Sequence, residues 1–262
     1  MIENESEYYD YNNIPIELCK FSLQHGKTNH VRLFLYFKSN SNGYLKNKRE
    51  VYKRAAVSLN NNIKTIHNHL NWLIKEEWII PDLKVNSIRI ISFEKLASKL
   101  GFLSTKGAVL YKIDIRDFKS FAIAAVIQYN MMRNKRRNYQ AGLKMRSPQL
   151  REIPPYPHLT HNYLAKVLNK SKTAISRYKK QSCRMKFLKC QKKYENLYIP
   201  SFHYNSFKEF GPYESYKLLK RSGTILRQLP DKIECFIKLR NKWNLREVCR
   251  KNRNEKKTEP SY

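Results

Sequence analysis

NKSKTAISRYKK, at positions 169–180, sets five cationic side chains around one Ala-Ile pair, and NNNIKTIHNHLN, far upstream at positions 60–71, repeats its pattern. Displaced by 109 positions, the two regions superpose without a gap: Ala56 falls on Ala165, Leu59-Asn60 on Leu168-Asn169, and Ile66 on Ile175. Polar residues fill the places between them. A small side chain at Ala56 and Ala165 lets a second helix cross closely. Asn60 and Asn169 tolerate the left-handed backbone that turns a chain sharply after a helix. Ser171 is a natural N-cap, and Asn62 holds the matching place. With Ile66 and Ile175 buried, helical geometry turns Ile63, Lys64, His67 and Asn68 outward in the first copy. In the second it turns Lys172, Thr173, Ser176 and Arg177 outward, with Lys180 one turn on.

The charge balance suggests what such faces would meet. In a chain of 262 residues, 52 Lys and Arg stand against 21 Asp and Glu, a formal net charge of +31. An AT-rich coding bias enriches Lys and Asn, but it also favours Asp and Glu, so it leaves the shortage of acids unexplained. Self-repulsion of this size is tolerated when a polyanion cancels it, and nucleic acid is the commonest one. The charge is also concentrated. Positions 133–193 carry eighteen Lys and Arg with a single acid, Glu152. That run includes Arg133, Lys135, Arg136 and Arg137 and flanks the second stretch, so it reads as a phosphate-contacting surface.

Other chemistries find little support. Five cysteines, Cys19, Cys183, Cys190, Cys235 and Cys249, are odd in number and form no C-x-x-C pair. They read as reduced thiols of a cytoplasmic protein. The acidic, polar start MIENESEYYDYNN carries no secretory signal, and the longest apolar run, FAIAAVIQY, is half of what a bilayer needs. No membrane partner is expected. His67/His69 and His158/His161 lack a carboxylate or cysteine at ligand spacing, so no metal is expected. No phosphate-binding G-x-x-x-x-G-K-[ST] loop is present, so no nucleotide cofactor is expected. Eighteen tyrosines make a nicking nucleophile formally possible, but no His-hydrophobe-His run supports it. The expectation is a protein without catalysis of its own.

Along the chain, residues 1–14 read as a flexible acidic arm. Helices are expected from Pro15, over 31–37, over 50–59 and over 63–75, followed by a strand at 85–93. A short helix should end at Gly101, with a strand at 108–113 and a long helix over 114–137. Residues 138–158, a basic, proline-containing stretch, read as a loop. Further strands are expected at 197–199, and residues 223–239 as a hairpin turning at Pro230-Asp231-Lys232. The segment KKQSCRMKFLK (179–189) should prolong the second outward-facing helix, and 241–262 reads as a basic, disordered tail.

Helix, helix, helix and a returning strand is the winged-helix order, and the Ala–Asn–Ile spacing at 54–70 and 163–180 resembles the helix-turn-helix pattern. The expected fold is therefore mainly α with small β-hairpins (α+β), as two tandem winged-helix-like domains at 15–105 and 106–240. This architecture resembles the replication initiators of plasmids and phages, and phage or mobile-element transcription regulators. The resemblance implies sequence-specific binding of double-stranded DNA through recognition helices in the major groove, together with replication or transcription proteins as partners. Self-association is left open. Arg and Lys would address guanine, Asn adenine, and Ser or Thr a thymine methyl or a phosphate. Two rivals stay open: a DNA nicking and joining enzyme targeted by helix-turn-helix domains, and a non-specific nucleic-acid packaging protein.

Overall fold

The computed structural model describes residues 11–82, 84–144, 159–200, 218–221 and 223–242. Among the described residues it is an α+β fold of eight helices and three antiparallel three-stranded sheets. The chain opens with β1 (Tyr11–Pro15), α1 (Ile16–Gln24), α2 (Thr28–Ser39), β2 (Tyr44–Lys46), α3 (Arg49–Ser58) and α4 (Ile63–Lys75). It continues through β3 (Ile79–Asp82), β4 (Ser87–Ile90), α5 (Phe93–Leu100), β5 (Gly107–Tyr111) and a 3-10 turn (Lys112–Asp117) into α6 (Phe118–Lys144). The later elements are α7 (His161–Leu168), α8 (Lys172–Arg184), β6 (Leu188–Pro200), β7 (Leu218–Arg221), β8 (Thr224–Cys235) and β9 (Leu239–Arg240).

In two of the sheets a strand pair follows a helix pair. Strands β3 and β4 come after α3 and α4, with β2, from ahead of α3, on the other edge of β4, and β6-β8-β7 comes after α7 and α8. The third sheet, β1-β5-β9, joins distant parts of the chain: Tyr11–Pro15 runs antiparallel to Gly107–Tyr111, whose other edge takes Leu239–Arg240.

One hydrophobic cluster runs through all of this, from Ile14 to Ile237. Its aromatic centre is Trp78, with Phe34 and Trp72 each 5.4 Å away edge-on. Helix α6 is its axle. Residues 121–127, FAIAAVI, are at most 1% exposed on every side, the pattern of a helix enclosed by others. Its three alanines leave room for α1 and α8 to approach. Past Tyr129 the helix becomes one-sided and basic.

Several elements differ from the sequence expectations. Tyr11–Pro15, which includes the last residues of the expected arm, pairs as β1; residues 1–10 lie outside the described residues. Helix α6 runs to Lys144, beyond Arg137, so the start of the expected 138–158 loop is helical; 145–158 are not described. Strand β2 has no clear sequence signature. Helix α8 stops at Arg184, because Lys186 takes a left-handed backbone (φ 57°) and the chain enters β6. The expected turn at Pro230-Asp231-Lys232 lies inside β8, where register slips between Gln191 and Lys193. A proline lacks the N–H a ladder needs, and a bulge is where a strand can do without it. The tail beyond residue 242, with Arg246, Arg250, Lys251 and Arg253, is not described.

The two copies also differ at one core position. Leu70 is buried in α4, and its counterpart in α8 is Lys179, also 5% exposed, with Nζ 3.3 Å from Asp231 Oδ2 on β8. Removing the acid strands a buried charge, whereas removing the lysine leaves a carboxylate that still reaches solvent. Asp231→Asn is expected to lower stability by roughly 2–4 kcal/mol, whereas Lys179→Leu should change it by less than about 1 kcal/mol. Urea midpoints of the two variants test this, and equal losses would contradict it.

Candidate nucleic-acid interface

The repeated segments fold into the same local structure, bond by bond. Asn60 and Asn169 both adopt the left-handed conformation, at φ 50° and 48°. The residue after each closes the helix, Asn61 N–H donating to Ala56 O (2.9 Å) and Lys170 N–H to Ala165 O (3.0 Å). Asn62 Oδ1 then accepts from the Thr65 N–H (2.7 Å), and Ser171 Oγ accepts from the Ala174 N–H (3.1 Å), capping α4 and α8. Ile66 and Ile175 are fully buried.

The correspondence extends to the ends of α4 and α8. Glu77 (φ 55°) and Lys186 (φ 57°) make the same left-handed exit from α4 and α8. Trp78 N–H donates to Leu73 O, as Phe187 N–H donates to Ser182 O. Trp78 O accepts from Ile91 N–H across a short hairpin, and Phe187 O from Phe236 N–H across a much longer one. Both exits lead straight into a strand, β3 or β6.

Helix α8 presents Lys172, Thr173, Arg177 and Lys180 to solvent, with Ser176 half-buried at the edge of the face. Helix α4 presents Lys64, His67 and Asn68, while Ile63 is half-buried and packs on the core. His67 lies beside the Tyr52 ring, 5.2 Å between centroids. Sequence reading passed over the last turns of α4, where Asn71 and Lys75 are also exposed; on α8 the exposed Gln181 and Arg184 lie in the 179–189 segment expected to prolong that helix. The continuing three- and four-residue spacing from Asn68 and Arg177 was the signal available. The α4 face carries two cations, Lys64 and Lys75, whereas α8 offers four, Lys172, Arg177, Lys180 and Arg184, and neither face includes an acid.

Arg133, Arg136 and Arg137 are not on this face. They lie on the exposed half of α6, in a cleft shared with Lys106 and Arg240.

Behind α4, His30 and His69 meet at 4.4 Å between ring centroids, with Trp72 4.6 Å from His30. Burial, with the charges of Lys27 and of the neighbouring histidine, lowers His30 to a pKa of about 4; burial and the Arg32 and Lys27 charges lower His69. His30 Nδ1 and His69 Nε2 have no hydrogen-bond partner, so each imidazole is held neutral. The unfolded chain therefore binds these protons more readily. Their contribution is complete above the ordinary value near 6.5 and is lost as pH falls from there towards 4. Allowing for solvent screening, the loss is expected to be roughly 1–2 kcal/mol. Melting temperatures between pH 7.5 and 4.5 should fall less steeply for His30→Gln than for the wild type, and parallel curves would contradict the assignment.

Around Lys179, the thiols of Cys183, Cys190 and Cys235 come together. Burial, with a hydrogen bond to Cys183, pushes Cys190 up to about 12, and burial pushes Cys235 up to about 12. Burial thereby keeps the Cys190 and Cys235 thiols protonated. Cys19 is free as well, and Cys249 lies outside the described residues. Among the described residues, no group of three His, Cys, Asp or Glu is placed to hold a metal ion, and no helix is long and apolar enough to cross a membrane. No protein-family model, curated protein or solved structure matches the chain.

Proposed function

We propose that the protein binds double-stranded DNA at a specific sequence, using two winged-helix units and no catalysis of its own. In this reading α8 is the main recognition helix and α4 an auxiliary one. The observation that carries it is the exposed Lys172–Thr173–Arg177–Lys180 face on a helix that the Asn169 turn and the Ser171 cap hold rigidly against the core. A rigid helix with Arg and Thr near its first turns matches what the major groove reads.

Element order supports the same reading. Each unit has a helix pair followed by an antiparallel hairpin. In the first unit, the sheet order β2-β4-β3 beside α2–α4 supports the winged-helix reading. The role is that of a replication initiator or transcription regulator of a phage or mobile element, acting by marking a site and recruiting replication or transcription proteins.

Selection of bound sequences from a random duplex pool tests this directly. One enriched motif is expected, and Arg177→Ala should relax it at a single base position and weaken binding by about 1–3 kcal/mol. Recovery of no motif would favour a packaging role through charge alone. Cleavage or covalent capture of DNA would favour the nicking enzyme.

A further inference from the structure

We infer that the cleft between the basic half of α6 and the β5–β9 edge binds a nucleotide with an unpaired base. Its phosphate would lie on the arginines and its base against Tyr129. The inference rests on the nucleic-acid reading of the chain, but it concerns a different surface from that of α8.

Tyr129, Arg133, Arg136, Arg137 and Gln140 follow one another at helical spacing along α6 and line one wall. The opposite wall comes from Lys106, just ahead of β5, and from Arg240 and Asn241 at the end of β9. Five cations therefore converge on a cleft of about 280 Å³ to which no carboxylate contributes. Like charges at this density are tolerated where an anion sits between them.

The far wall is built rather than loose. Arg240 Nη2 donates to Tyr11 Oη (2.8 Å), and its guanidinium lies 4.9 Å from that ring's centroid. Lys106 Nζ donates to Asn241 Oδ1 (2.7 Å), and Asn13 Nδ2 holds the Lys242 carbonyl (2.8 Å). On the α6 side, Arg133, Arg136 and Arg137 have no acidic partner among the described residues. Inorganic phosphate alone would not account for the rest of the lining. Tyr129 and Met132 on the α6 wall, with Leu239 on the β9 wall, add an apolar, partly aromatic lining, the kind of surface on which an unpaired base stacks. A phosphate site beside a stacking site, in a volume near that of one nucleotide, is what the arrangement offers.

The source of the nucleotide is either a free nucleoside phosphate or an unpaired DNA strand, and the same experiment separates them. Full-length protein is titrated into a fluorescein-labelled 12-mer of thymidylate, followed by anisotropy, with unlabelled thymidine 5′-monophosphate as competitor. Binding is expected, and an Arg133→Ala/Arg136→Ala double variant should weaken it at least 10-fold while reducing affinity for the selected duplex less than 3-fold. Tyr129→Ala should weaken it about 5- to 100-fold, with Tyr129→Phe close to wild type. Displacement by millimolar thymidine monophosphate would assign a free nucleotide, and resistance to it an unpaired strand. Arg177→Ala should leave binding of the oligothymidylate unchanged, so loss of the duplex reading and loss of this one are told apart. The inference is overturned if the oligothymidylate fails to bind, if the double variant binds it as well as wild type, or if single strand and duplex weaken equally.

Discussion

Between 50 and 200 mM monovalent salt, affinity for duplex DNA is expected to fall by roughly 10³- to 10⁵-fold. The estimate follows from six to ten phosphate contacts, each releasing condensed counterions, which gives a log–log slope of roughly −5 to −9. The contacts are available near α8. Lys166, Lys172, Lys180, Arg184 and Lys186 are all exposed within one short region of the chain, as is Lys189, whose Nζ lies 3.9 Å from Glu234 Oε2. Lys170 is already committed, its Nζ held by the Gln24 carbonyl at 3.0 Å. Lys180 lies one turn beyond Arg177, where a helix in the groove diverges towards the backbone. Lys180→Ala should therefore weaken all sequences alike and make the slope shallower by about one. Anisotropy titrations at four or five salt concentrations measure both. A nearly flat dependence would remove the basis for a phosphate-contacting surface.

Ile175→Ala is expected to destabilise the protein by about 2–5 kcal/mol and to leave its base preference as it was. Ile175 is fully buried on the inner side of α8, so truncation removes apolar area and leaves a cavity that the surrounding core fills only in part. The loss is a large share of the roughly 5–15 kcal/mol that holds a typical domain together. Its neighbour two positions on behaves oppositely. Arg177 is exposed, and Arg177→Ala should change stability by no more than about 0.5 kcal/mol. Thermal melts and site selection on the two variants form a crossed test. Should Ile175→Ala remain fully stable while Arg177→Ala leaves the preferred site intact, α8 would be in the wrong register to read DNA.

What sequence reading captured depended on how far each signal reaches. The α4 limits, 63–75, follow from apolar residues three and four apart and from the Asn62 cap, all inside one short window. The left-handed Asn60 and Asn169 were legible for the same reason, since a helix end signals itself in its own last residues. The hairpin of the second unit was not. Proline, aspartate and lysine at 230–232 spell a turn to a local reader, but β6 offers a bulge there, and the partner strand lies some forty residues upstream in the chain.

By itself the sequence determined the two capped helix-turn elements, the burial of Ile66 and Ile175, and the excess of positive charge, because these depend on neighbours within a few turns or on composition alone. Tertiary structure alone decided which charges share a surface. Arg133, Arg136 and Arg137 look continuous with the Lys172–Lys180 face along the chain, yet α6 carries them into a cleft with Lys106 and Arg240. Lys179, one of the five cations at positions 169–180, meets Asp231 of β8 on the inner side of α8. The physical reason is common to both cases. A side chain's helical face follows from its own helix, but what that face meets depends on strands such as β8 and β9, brought to it by pairings that span most of the chain.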